Sequence, residues 1–129
     1  MAKRVLIADD EPNIVTSLEY LMTKSGYEVA VARNGEEALA LVESFMPDLV
    51  LLDVMMPLRS GYEVCQAMRE RAQWRHIKIV MLSAKGREAE VSKGLSLGAD
   101  GYVTKPFSNR ELIAKVAELL GENAKPRAP

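Results

Sequence analysis

The chain has 129 residues, 48% hydrophobic and 27% charged, which suits one compact domain able to build its own core. Its formal charge of −1 gives no long-range pull on polyanions, so nucleic acid is not an expected direct partner. The single cysteine, Cys65, excludes an internal disulfide framework or a thiolate zinc site and reads as a small core residue.

In chain order, Met1-Ala2-Lys3-Arg4 leads into a first apolar run, Val5–Ala8, that is too short for a signal sequence or a membrane span. No membrane association and a cytoplasmic location are therefore expected. Asp9, Asp10 and Glu11 follow that run, and Pro12 suits the first position of a helix whose apolar face is Ile14, Leu18, Leu21 and Met22. A second run, Val29–Ala32, ends in the turn Arg33-Asn34-Gly35, after which Ala38, Leu41, Val42 and Phe45 repeat at helical spacing. The third run, Leu49–Leu52, delivers Asp53. Ser60-Gly61-Tyr62-Glu63 reads as a capping box opening the next helix, and the Gln73–His76 connection places Trp74 over a core edge and His76 on the surface.

The fourth run, Ile77–Leu82, is followed by Ser83. Lys85–Gly98 is the weakest helix: Gly86, Gly94 and Gly98 each cost about 1 kcal/mol relative to alanine, which fits either an element held only by packing or one able to move. A short fifth strand at Tyr102–Val103 precedes Thr104, Lys105 and Pro106. Ser108-Asn109-Arg110-Glu111 reads as a second capping box, Leu112, Val116, Leu119 and Leu120 mark a buried face, and Gly121 supplies the stop. Five apolar strands without polar alternation, alternating with five helices, predict a doubly wound, open parallel α/β sheet covered on both faces. The expected domain is 1–121, with 122–129 as a disordered tail or linker stub.

Ligands of such sheets bind beyond the carboxyl ends of the strands. Four of the five runs deliver a carboxylate, a hydroxyl or an ammonium there: Asp9 and Asp10, Asp53, Ser83 and Lys105. Singly these are ordinary turn, cap or surface residues. Together, the carboxylates repel one another unless a cation neutralises them, and oxygen ligands without histidine or cysteine select a hard ion such as Mg²⁺. Lys105 and Ser83 would hold the oxygens of an incoming phosphoryl group, and a carboxylate can take that group as an acyl phosphate. Asp53 stands alone at its strand end whereas Asp9 and Asp10 are paired, which favours Asp53 as the nucleophile without deciding the matter.

The segments Ile7-Ala8-Asp9-Asp10-Glu11, Leu51-Leu52-Asp53-Val54-Met55-Met56-Pro57 with Gly61, Met81-Leu82-Ser83-Ala84, Leu97-Gly98-Ala99-Asp100-Gly101-Tyr102 and Thr104-Lys105-Pro106-Phe107 resemble the receiver domains of two-component response regulators, from Lys3 to about Leu120. The resemblance implies a flavodoxin-like fold with strand order 2-1-3-4-5. It implies phosphorylation of Asp53 by a histidine kinase or phosphotransfer protein, a phosphoacceptor switch rather than an enzyme. It further implies Mg²⁺ held by Asp9, Asp10, Asp53 and the main-chain carbonyl of Met55, phosphoryl oxygens held by Ser83 and Lys105, and Tyr102 as an aromatic switch. A cis Lys105–Pro106 bond is implied as well. The implied output is a separate protein or a missing effector domain, with a phosphorylation-dependent homodimer as an additional expectation. Ser83 stands where many members carry threonine, Arg59-Ser60 is less usual in its loop, and Lys85 occupies a variable position that influences dephosphorylation.

Two other classes fit less well. An aspartyl-phosphate phosphatase would need a second carboxylate where Met55 stands, and a substrate-covering cap. A flavodoxin-like cofactor binder would need a phosphate loop where the acidic Asp9-Asp10-Glu11 lies.

Overall fold

The computed structural model describes residues 2–84 and 87–121. Five strands, β1 (Arg4–Ala8), β2 (Glu28–Ala32), β3 (Leu49–Asp53), β4 (Lys78–Ala84) and β5 (Gly101–Lys105), alternate with five helices, α1 (Pro12–Lys24), α2 (Gly35–Phe45), α3 (Gly61–Glu70), α4 (Glu88–Ser96) and α5 (Asn109–Leu119). All neighbouring strands are parallel, in the order β2-β1-β3-β4-β5. This is the expected doubly wound sheet. A 3₁₀ turn at Ala72–Trp74 was not anticipated.

The unbroken apolar runs make sense because successive side chains point to opposite faces and each face is covered. Leu6, Ala8, Val50, Leu52, Ile79 and Met81 pack with Ala38 and Val42 of α2 and Val64 and Met68 of α3. Val5, Ile7, Leu49, Leu51, Val80 and Leu82 face Leu18 and Met22 of α1 and Leu112 and Val116 of α5. Each fully buried leucine, isoleucine or valine among them stabilises the fold by about 2 kcal/mol. The edge strand β2 is only half-covered. Cys65 is buried, and Trp74 packs on the first of these layers.

Local signals behave mostly as read. Pro12 opens α1, Ser60 and Glu63 form the complete reciprocal box, and Gly121 follows α5 at φ +75°. At α5 only the serine half of the expected box forms, with Ser108 Oγ accepting from the Glu111 amide. The strands run further than the apolar runs suggested. Ser83 therefore lies inside β4 rather than after it, and Lys105 is the last residue of β5, because ladder pairing of Ser83 with Thr104 and of Ala84 with Lys105 continues past the apolar stretch. The fourth helix is shorter than Lys85–Gly98: it begins at Glu88, Lys85 and Gly86 lie outside the described residues, and Gly98 has left the helix at φ +113°. The proposed tail, 122–129, also lies outside the described residues. Among the described residues, no helix is long and apolar enough to cross a membrane.

Candidate functional site

The carboxyl ends of β1, β3, β4 and β5 converge at one edge of the sheet. Asp53 ends β3 and is 7% exposed. Its position is set by backbone: the Val54 amide donates to the Leu82 carbonyl at 3.3 Å and the Gly61 amide returns to the Val54 carbonyl at 2.9 Å. The chain passes so close here that a Cβ on Gly61 would collide with the Asp53 carbonyl oxygen. Asp9 follows β1, donates its amide to the Ala32 carbonyl at 3.1 Å and is fully buried. Its Oδ1 accepts from the Glu11 amide at 2.9 Å. Its Oδ2 accepts no hydrogen bond and faces the Lys105 ammonium at 3.1 Å.

Asp10 is exposed, yet one carboxylate oxygen each from Asp9, Asp10 and Asp53 lie within 4.8 Å of one another. Lys105 reaches into this cluster from β5, across a cis bond to Pro106, and places Nζ 3.2 Å from Asp53 Oδ1 and 3.8 Å from Glu11 Oε1. Burial, and then the Asp9 carboxylate, push the Asp53 carboxyl up to about 6, against the opposing pull of Lys105. Burial disfavours charge on Lys105 as well, but the Asp53 and Asp9 carboxylates outweigh it and raise its pKa above the ordinary lysine value. The cluster thus holds more negative charge than one ammonium neutralises. A buried oxygen without a hydrogen bond and an all-carboxylate donor set fit a hard divalent ion.

Ser83 is 2% exposed, and its Oγ donates to the neighbouring Ala84 carbonyl at 3.4 Å. It lies one residue beyond Leu82, the β4 partner of Asp53. The Met55 amide donates to the Asp53 carboxylate, while the Met55 side chain is exposed. Tyr102 points outward, 44% exposed, beside a cavity of about 230 Å³ lined by Ser83, Arg87, Val91, Tyr102 and Thr104. Thr104 escaped the sequence reading, although its place beside Lys105 on an edge already marked by Ser83 was a usable signal. His76 lines a separate groove with Arg4, Asp48 and Trp74, where β1 and β4 begin, at the end of the sheet away from the acidic cluster.

The arrangement offers a nearly buried carboxylate beside an ammonium, an adjacent cation site and a hydroxyl on the neighbouring strand. Such a set can receive a phosphoryl group and compensate its charge. Comparisons with known proteins agree. Residues 5–117 match the family described as the response regulator receiver domain. The alkaline phosphatase synthesis transcriptional regulatory protein PhoP of Bacillus subtilis (strain 168) is 49% identical over 120 residues, covering 93% of this chain and 49% of that protein. The chain thus spans about half the length of this curated relative. A response regulator structure from Chloroflexus aurantiacus J-10-fl superposes with a TM-score of 0.91 at 34% identity, over 94% of this chain and 99% of the other. The chemotaxis protein CheY4 of Vibrio cholerae gives 0.86 at 30% identity, over 92% and 99%. The match takes in both faces of the sheet and every strand end that carries an acidic or basic site residue: this chain belongs to the receiver domains of two-component response regulators.

Proposed function

We propose that Asp53 is the phosphoacceptor and that Asp9, Asp10, Asp53 and the Met55 carbonyl hold Mg²⁺ beside it. The observation that carries this reading is the Lys105 ammonium, 3.2 Å from Asp53 and 3.1 Å from Asp9, within a cluster of carboxylates too acidic for one lysine to balance. An Asp53 carboxylate oxygen attacks the phosphorus of a phosphohistidine on a histidine kinase or phosphotransfer protein. The new P–O bond forms as the P–N bond breaks, and the departing imidazole keeps the electron pair and takes a proton from solvent. Bound Mg²⁺ would supply charge compensation for the phosphoryl oxygens. Lys105 exchanges its contact with the Asp53 carboxylate for one with a phosphoryl oxygen, and the Ser83 hydroxyl donates to another. Water attack on the acyl phosphate, aided by the same groups, resets the domain, so it acts as a switch and not as a turnover enzyme.

The output follows from the cavity. When Ser83 turns toward phosphate, the space of about 230 Å³ beside it is open to the ring of Tyr102, which biases the α4–β5–α5 face toward a second packing. That face would engage an effector domain, a separate output protein or a second copy of the chain, in the cytoplasm where kinase and ATP reside. Residues 1–121 would constitute the switch and 122–129 a tail or the start of a linker.

Intact mass after acetyl phosphate and Mg²⁺ tests the core of this. One phosphoryl adduct is expected on the wild type, none on Asp53→Asn, and none when EDTA removes the metal. Several equivalents of phosphate ester consumed per chain without an adduct would favour the phosphatase reading instead.

A further inference from the structure

We infer that Gly35, at the far end of the β2–α2 turn, is a positioning residue for the metal-binding loop that follows Asp53; the inference rests on the Mg²⁺ site proposed above. Gly35 is the first residue of α2 and is buried. Its amide donates to the Pro57 carbonyl at 3.2 Å, and the Arg59 amide donates to the same oxygen at 2.8 Å. The backbone of Arg59 lies directly against the Gly35 Cα. Any Cβ there would collide with the Arg59 carbonyl oxygen and Cβ, and would approach the carbonyl carbon to 2.8 Å. Two of the three obstructing atoms are backbone, so the loop cannot yield by turning a side chain.

The rest of the turn secures this contact from both sides. Asn34 caps α2 through the Glu37 amide at 2.8 Å, and the Glu37 carboxylate accepts from the Arg33 amide at 2.8 Å. Glu36 reaches across to Arg59 at 3.1 Å. Leu58, between the two residues that touch Gly35, has φ +71°, and Ser60 is already engaged as the cap of α3. Residues 54–60 are therefore fixed at two places: Gly61 presses one end onto Asp53, and Gly35 props the middle at Pro57–Arg59. Met55 lies between those supports, with its amide on the Asp53 carboxylate. Moving Arg59 outward to admit a methyl group displaces the segment that must present the Met55 carbonyl. A mono-atom change more than one strand away from Asp53 thereby reaches the metal.

Calorimetric Mg²⁺ titration of the unphosphorylated chain tests this, with thermal melting of each variant. Gly35→Ala is expected to raise the Mg²⁺ Kd about tenfold, the scale of losing an outer support of a metal ligand. Val42→Ala, a core truncation on the same helix remote from the loop, is the control. It lowers the melting temperature and leaves the Kd unchanged. Equal Kd values for Gly35→Ala and Val42→Ala overturn the inference. Should Gly35→Ala fail to fold, Arg59→Gly decides, because it removes the Cβ that rests against Gly35 together with the Glu36 tie. Loosening the prop raises the Kd about twofold, whereas simple loss of a positive charge lowers it, and a lowered or unchanged Kd rejects the inference. Absence of Mg²⁺ binding by the wild type itself would instead sink the site proposed above.

Discussion

The two halves of the phosphorylation edge are built differently. On the β3–α3 side, the chain leaves Asp53 through a loop propped by Gly35 and Gly61 and enters a helix with a complete capping box and four buried residues, Gly61, Val64, Cys65 and Met68. On the β4–α4 side, Ser83 leads toward a helix whose N-cap, Arg87, makes no side-chain cap and whose one buried residue is Gly94. The rear of α4 is fastened: Arg69 donates to the Gly98 carbonyl at 2.9 Å and pairs with Asp100 at 2.8 Å, and Asp100 also accepts from the Ile79 amide. The first turn is held by a lighter contact, the Tyr62 hydroxyl on the Glu90 carbonyl at 3.3 Å, and Lys93 of the last turn lies over the same ring at 4.5 Å. The proposed phosphoacceptor, Asp53, sits on the more firmly held half. The half with the uncapped helix adjoins Ser83, the hydroxyl that would sense phosphate under the proposed function.

Gly61→Ala attacks the stiff half hardest. Because the obstacle is the Asp53 carbonyl, overpacking has no side chain to displace, and we expect a loss of about 3 kcal/mol in urea denaturation. A loss below about 1 kcal/mol would show that the loop is less rigid than its contacts imply. Asp53→Asn works in the opposite direction. With its carboxyl raised from 3.8 to about 6, native Asp53 holds its proton more tightly than the unfolded chain does, so its contribution to stability is present below pH 3.8 and lost as pH rises through about 6. That shift is worth up to about 3 kcal/mol, less what Lys105 loses with its partner, so the variant should be more stable than wild type by about 2 kcal/mol at pH 7 without metal. The gap should close toward pH 4, and a pH-independent gap would mean that packing and not charge is responsible. At the proposed site Mg²⁺ would compete with that same proton, so wild-type metal affinity should fall as pH drops through about 6.

How much of this was legible in the sequence depends on whether the signal was local. Asp9, Asp53 and Lys105 were found because an apolar run that ends in a charge names both a strand and its edge, and parallel order then brings the edges together. Ser83 was found but misplaced by the same rule, since ladder pairing with Thr104 carries β4 beyond its apolar residues. The long reading of α4 failed similarly: periodicity marks a helical tendency, but nothing in Arg87-Glu88 marks a capped start. Gly35 was out of reach. Arg33-Asn34-Gly35 reads only as a turn, and the contact of Gly35 with Arg59 is a product of packing across 24 residues of chain. The missing half of the Ser108 box has the same character, because the pattern is present and only the geometry decides.

The remaining predictions compare the two helix starts directly. Ser60→Ala removes the acceptor for the Glu63 amide and should cost about 1 kcal/mol, an effect read in the same denaturation series. Arg87→Asn makes the reverse change on α4. It gives that helix a side chain able to accept from a first-turn amide, where Glu88 and Glu90 already suit the positive end of the dipole. It also removes an Arg87–Glu90 pair at 3.2 Å whose arginine is well exposed and therefore worth little. The net gain should be about 0.5 kcal/mol, too small to rely on from unfolding curves alone. Amide exchange is the better measurement: protection across Glu88–Ser96 should rise in the unphosphorylated variant, and the change in protection on adding beryllofluoride and Mg²⁺ should shrink. If protection of α4 is unaltered, its looseness does not originate at the uncapped start. If protection rises and the beryllofluoride response keeps its full size, a frayed first turn is not what lets this half of the edge respond to phosphate.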